Sequence, residues 1–109
     1  MEMENRPYSE IYRMAGEEWA DLEAAAQLLE DSKSAVMAQW QTEYGDVPVN
    51  RAEQAVKSSA RWRDYINDTV EARKRANKAK IYLESVKMRA MELHATEANQ
   101  RTEMKIMGR

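Results

Sequence analysis

The 109-residue sequence has no cysteine, no phenylalanine, one histidine, two prolines and three glycines. Without cysteine there is no disulfide, no thiolate-held zinc and no cysteine nucleophile. That absence fits a reducing compartment. No stretch approaches the roughly 20 consecutive apolar residues a membrane-spanning helix needs, so no membrane partner is expected. The first ten residues, MEMENRPYSE, are acidic and lack an apolar h-region, so a secretory leader is not expected either. The expected location is the cytoplasm. Large apolar residues are too few for a thick central core, which favours long helices over a compact globule.

What is present suits that reading. The chain is 43% apolar and 33% charged, and its alanines, glutamates, lysines, arginines and methionines lose little rotamer freedom in a helix. Its net charge of −2 hides a division. Residues 1–50 carry 3 Lys/Arg against 11 Asp/Glu, a balance of −8, whereas residues 51–109 carry 14 against 8, a balance of +6. Such asymmetry implies either internal pairing or a polyanion site on the basic half.

From Trp62 to Met107 the sequence runs as a nearly unbroken heptad. The a positions are Trp62, Thr69, Ala76, Leu83, Ala90, Glu97 and Met104. The d positions are Tyr65, Ala72, Ala79, Val86, Leu93, Gln100 and Met107. Apolar residues at this spacing define a helix that buries a seam against another helix. Ala72, Ala76 and Ala79 permit close approach, and Glu97 and Gln100 are polar seam positions of the kind that fix register or oligomeric state.

A first helix is expected from about Glu10 to about Glu43, with Ser9 as N-cap and disorder over residues 1–8. Its apolar stripe is Ala15, Trp19, Leu22, Ala26, Leu29, Val36 and Trp40, interrupted by Lys33. Gly16 weakens the early part by about 1 kcal/mol relative to alanine. Gly45 suits a helix end and Pro48 cannot continue a helix. Asn50 followed by Glu53 reads as a capping-box variant opening the second helical stretch, 51–106. Ser58-Ser59 is its soft point, which favours a short helix to residue 58 and a long one from 60. The expected fold is all-α: a single domain forming an elongated antiparallel helical hairpin, with a long coiled-coil-like C-terminal helix that makes the protein oligomeric.

The e positions beside the seam after Ile66 are Arg73, Lys80, Lys87, His94 and Arg101. Cations about 10 Å apart along a helix can follow phosphates of a nucleic-acid strand. Arg63, Lys74, Arg75, Lys78 and Arg89 broaden the basic surface, and Tyr82 can stack on a base. The candidate nucleic-acid-binding residues are therefore Arg73, Lys80, Tyr82, Lys87 and Arg101. The competing reading pairs these cations with Glu10, Glu17, Glu23, Glu30 and Asp31 of the first helix, which also recur at intervals near seven. The two readings stand side by side at the level of sequence.

Other residue groups carry less. Glu17, Glu18 and Asp21, with Glu43 and Asp46, loosely resemble the paired acidic motifs of all-α nucleotide pyrophosphohydrolases, which bind magnesium. Asp21 stands where that pattern has glutamate, and Gly45 interrupts the second pair. His94 has no second histidine and no Glu-x-x-His spacing, so no metal and no cofactor is expected. The three tryptophans fall on apolar stripes as core or interface anchors, and Met88, Met91, Met104 and Met107 fill seam gaps or form an adaptable partner surface.

The segments EARKRANKAK (71–80) and ANQRTEMKIM (98–107) resemble small helical proteins of phages and prophages from replication and recombination modules. In general character the chain is also similar to the helical recombination mediators of T4-like phages, which bind single strands and assemble into rings. The resemblance implies non-catalytic accessory work in the host-cell cytoplasm, on single-stranded nucleic acid or a recombination protein, by a homo-oligomer. The alternative is a protein-binding module or inhibitor of a host nucleic-acid enzyme, with a host-defence protein as partner. If no bond is broken, nucleoside triphosphates with magnesium should release no pyrophosphate. Turnover that disappears in Glu18→Gln would instead establish the pyrophosphohydrolase reading.

Overall fold

The computed structural model describes residues 7–107. Of the segment expected to be disordered, residues 1–6 lie outside the described residues, whereas Tyr8 is already helical. The elements are α1 (Tyr8–Gln41), a 3-10 turn (Thr42–Tyr44), α2 (Val49–Lys57) and α3 (Ala60–Met107). There is no strand among the described residues, so the class is all-α. No helix among them is long and apolar enough to cross a membrane.

Local chemistry explains each boundary. α1 opens at Pro7, whose carbonyl accepts from the N–H groups of Glu10 and Ile11 at 3.0 and 3.1 Å. Proline lacks an N–H that would go unsatisfied there. Ser9 thus lies inside the first turn and is not the N-cap. At the far end Gly45 adopts φ +69°, a conformation glycine reaches without a Cβ penalty, and its N–H donates to the Thr42 carbonyl at 3.3 Å. The Pro48 carbonyl accepts from Arg51 and Ala52 N–H, both at 3.0 Å, to open α2. No side chain caps that start, and Asn50 Oδ1 accepts from the adjacent Arg51 N–H at 3.0 Å. The expected capping box is not made, because α2 begins one residue before Asn50.

The α2–α3 break falls at Ser58-Ser59. Ser58 Oγ donates back to the Gln54 carbonyl at 2.8 Å. Ser59 Oγ donates to the Val56 carbonyl at 2.6 Å and accepts from Trp62 N–H at 3.3 Å. Ser59 therefore closes one helix and caps the next.

The described residues form two compact units, one within residues 20–77 and the other of the stretches up to Trp19 and from Lys78 onward. In the unit 20–77, Ala26 and Ala76 are 0% exposed, and α2 buries Ala52 and Val56. Trp62 and Tyr65 stack at 5.5 Å between centroids, and Trp40 meets both edge-on at 6.0 and 6.2 Å. Such rings bury large areas and gain about 0.5–1.5 kcal/mol per pair beyond burial. The Tyr65 hydroxyl donates to the Leu29 carbonyl. Arg61 lies 4.4 Å over the Trp40 ring and donates to both Glu43 carboxylate oxygens. Lys33, the interruption in the α1 stripe, is exposed.

In the other unit, Ala15 of α1 and Val86 of α3 are buried, with Trp19, Ala79, Leu83 and Ala90 half-buried. Gly16 faces Leu83: a Cβ on Gly16 would sit 3.8 Å from Leu83 Cδ1, an ordinary contact. Beyond Ala90, among the described residues, the seam positions are exposed except Glu97, which is half-buried.

Removing an aromatic anchor should be costly where burial is deep. Trp62→Ala should destabilise the fold by about 3–5 kcal/mol. Leu28→Ala, at a residue 67% exposed, should stay within about 0.5 kcal/mol. Urea unfolding followed by circular dichroism measures both.

Candidate nucleic-acid interface

The five sequence-derived candidates occupy four different settings. Arg73 is turned onto α1. Its Nε and Nη2 donate to the two Glu30 oxygens, each at 2.8 Å, and its Nη1 donates to Glu23 at 2.6 Å. This planar fork matches the carboxylate geometry, an arrangement lysine cannot reproduce. The hydrogen bonds from Arg73 hold the Glu30 carboxyl below its ordinary value of 4.5 against the opposing effect of desolvation. The bonds to Glu30, then to Glu23, push the Arg73 guanidinium further above its ordinary range. For Arg73 the internal pairing is realised, and its charge is compensated.

Lys80 and Lys87, one and two heptads on, meet no such acids. Among the described residues neither is within ion-pair distance of a carboxylate. The reason lies in the α1 register. Glu23 and Glu30 are taken by Arg73, Glu17 pairs with Arg13 on its own helix at 2.8 Å, and the position facing Leu83 is Gly16. Lys80 Nζ sits 5.9 Å from the centroid of the Trp19 ring, a cation–π placement. Tyr12, Trp19, Lys80, Leu83, Glu84 and Lys87 together line an open notch of about 210 Å³.

Tyr82 is exposed but occupies the g flank of the seam, across from the e positions, and does not line the notch. The aromatic rings beside the lysines are Tyr12 and Trp19 instead. One signal could have found them: Tyr12 and Trp19 are seven residues apart on α1, with glycine between them. Arg101 stands on the exposed end of α3, 3.9 Å from Glu97 one turn earlier. His94 is exposed there too.

A larger cleft of about 520 Å³ lies in the unit 20–77, lined by Lys33, Met37, Gln41, Glu53, Lys57 and Trp62 among others. Lys57 is neutralised by Glu53 at 2.9 Å, and Trp62 is buried, so the cleft offers less to a phosphate or a base. Of the acidic candidates, Glu17 is held by Arg13 and Glu43 by Arg61. No group of three or more His, Cys, Asp or Glu among the described residues could hold a metal ion.

No protein family, no characterised protein and no solved structure matches the chain.

The Arg73 clamp has a pH signature. With its folded pKa lowered, Glu30 contributes stability that is full above about 4.5 and is lost as pH falls through the lowered folded value. Arg73→Gln should lower the thermal midpoint at neutral pH more than Arg75→Gln, whose side chain is exposed. The same variant should also lose less stability than wild type over the acid window. Melting curves from neutral to acid pH measure both effects.

Proposed function

We propose that this is a non-catalytic, self-associating accessory protein of the phage replication–recombination kind, which binds single-stranded nucleic acid in the host-cell cytoplasm. The observation that carries this reading is the notch. Two uncompensated lysines about 10 Å apart along α3 border two aromatic faces on α1. That combination suits a single strand, because the cations neutralise phosphates while unpaired bases stack on rings without regard to sequence. Stacking contributes about 1–3 kcal/mol per base. A duplex hides its base faces and gains only the phosphate contacts.

The reading assigns roles residue by residue. Lys80 and Lys87 meet phosphates, and Tyr12 and Trp19 stack. Arg101 and the flank of Tyr82, Arg75 and Arg89 extend the basic surface. Arg73 holds the helices together. Glu84, the one carboxylate among the lining residues, works against a phosphate and limits affinity. In architecture we take α1 and α3 as the two arms of one antiparallel hairpin. The order of the contacts supports this: Trp40 meets Trp62, Glu23 meets Arg73 and Trp19 meets Lys80.

Anisotropy of a labelled single-stranded oligonucleotide over a salt titration tests the assignment. Lys80→Gln with Lys87→Gln should weaken binding and reduce the salt slope by roughly 0.7 per lost contact. Tyr12→Ala should weaken binding while leaving that slope unchanged, and Glu84→Gln should tighten it. Absence of binding by wild type at low salt would overturn the nucleic-acid reading in favour of a protein-binding module.

A further inference from the structure

Within the unit formed by residues up to Trp19 and from Lys78 onward, α1 and α3 pair in opposite senses. Trp19 meets Lys80, and Gly16 meets Leu83. Each step back along α1 matches a step forward along α3, which places Tyr8, where α1 begins, opposite Met91. Exposure changes at that point. Ala90 is half-buried, whereas the following large apolar seam residues are open: Leu93 is 44%, Met104 72% and Met107 84% exposed. The seam pattern itself does not stop: Ala90, Leu93, Glu97, Gln100, Met104 and Met107 continue the a and d positions. About 25 Å of helix thus runs on with its apolar seam residues exposed, although helices in proteins draw most of their stability from packing an apolar face.

We propose that this end of α3 pairs antiparallel with the same segment of a second copy of the chain, about a two-fold axis between Ala98 and Asn99. The residues select that register. It sets Ala90 against the partner's Met107, Leu93 against the partner's Met104 and Glu97 against the partner's Gln100, and the axis repeats each layer. Small meets large in the outer layers. In the central layers the Gln100 amide donates to the Glu97 carboxylate, so each polar group meets a polar partner in the seam. A shift by one heptad either way sets Glu97 against Leu93 or Met107 and gives its carboxylate no donor from the other copy. A parallel in-register pair sets Glu97 against the partner's Glu97, two like charges in one layer.

The second copy also continues the existing interface. The partner's Met107 comes level with Ala90, beside the start of α1 at Tyr8, so the seam passes from one covering helix to the other. The pairing gives a defined dimer with its two notches about 35 Å apart along α3, measured between the Lys87 positions. This inference refines the self-association in the proposed function and is independent of what the notch binds.

The chain has no cysteine, which makes disulfide trapping selective. The test is a variant with both Leu93→Cys and Met104→Cys, oxidised at micromolar concentration. These positions lie about 16 Å apart on one helix, too far for a bridge within a chain, whose Cα atoms must come within about 7 Å. The double variant should form a covalent dimer, and each single variant should stay monomeric under denaturing conditions. Mixing the two single variants should restore the cross-link. Cross-linking of Leu93→Cys alone, or of Glu97→Cys alone, would overturn the antiparallel register. A double variant that remains monomeric, with wild type scattering light as a 12.7 kDa species, would overturn the pairing itself. Oligonucleotide anisotropy on the same samples reports the notch separately.

Discussion

The close approach of α1 and α3 over alanine is the constraint on which the rest depends. Ala26 and Ala76 are wholly buried, and among the described residues Val56 is the largest side chain under 2% exposed. A seam built from such small residues brings backbones near each other but removes little apolar area per turn. The helices are therefore held by concentrated anchors. In the unit 20–77 these are the Trp40, Trp62 and Tyr65 cluster, the short α2 that lays Ala52 and Val56 over it, and the Arg73 fork on Glu23 and Glu30.

The same close approach decides which charges remain available. Where α1 offers glutamates on the facing flank, the α3 cation beside them is consumed, as at Arg73. Where α1 offers Tyr12, Gly16 and Trp19, the cations beside them have rings and a missing side chain for neighbours, and among the described residues Lys80 and Lys87 have no carboxylate within ion-pair distance. One basic stripe thus divides into a part paired with α1 carboxylates and a part beside aromatic rings. The division follows the α1 sequence and not the α3 sequence. Gly16 has two consequences: it costs α1 about 1 kcal/mol of helix propensity, and it leaves no side chain between α1 and Leu83.

The end of α3 follows a related logic. A seam pattern that outruns the helix covering it is unfinished, and its polar layers limit what can finish it. Glu97 and Gln100 are unfavourable against lipid, against a purely apolar groove and against most alternative registers of their own kind. The residues that weaken the seam also restrict its partner.

The helical class, the stripe that α1 buries and the breaks at Gly45 and at Ser58-Ser59 were legible in the residues alone. Periodicity, propensity and turn chemistry are local properties, written within a few residues of where they act. Even there the local pattern placed two caps wrongly, because Ser9 and Asn50 compete with Pro7 and Pro48, whose carbonyls accept the first turns two residues earlier. The fate of each cation was not legible. Arg73, Lys80 and Lys87 are equivalent along the heptad, and only the register of α1 against α3 separates them. Tyr82 looked suitable from its neighbours in sequence, yet it stands on the other flank of the helix from the lysines, whereas Tyr12 and Trp19 reach them from more than sixty positions away. Tertiary structure decided these matters because a charge or a ring acquires its role from what faces it, and what faces it comes from a distant part of the chain.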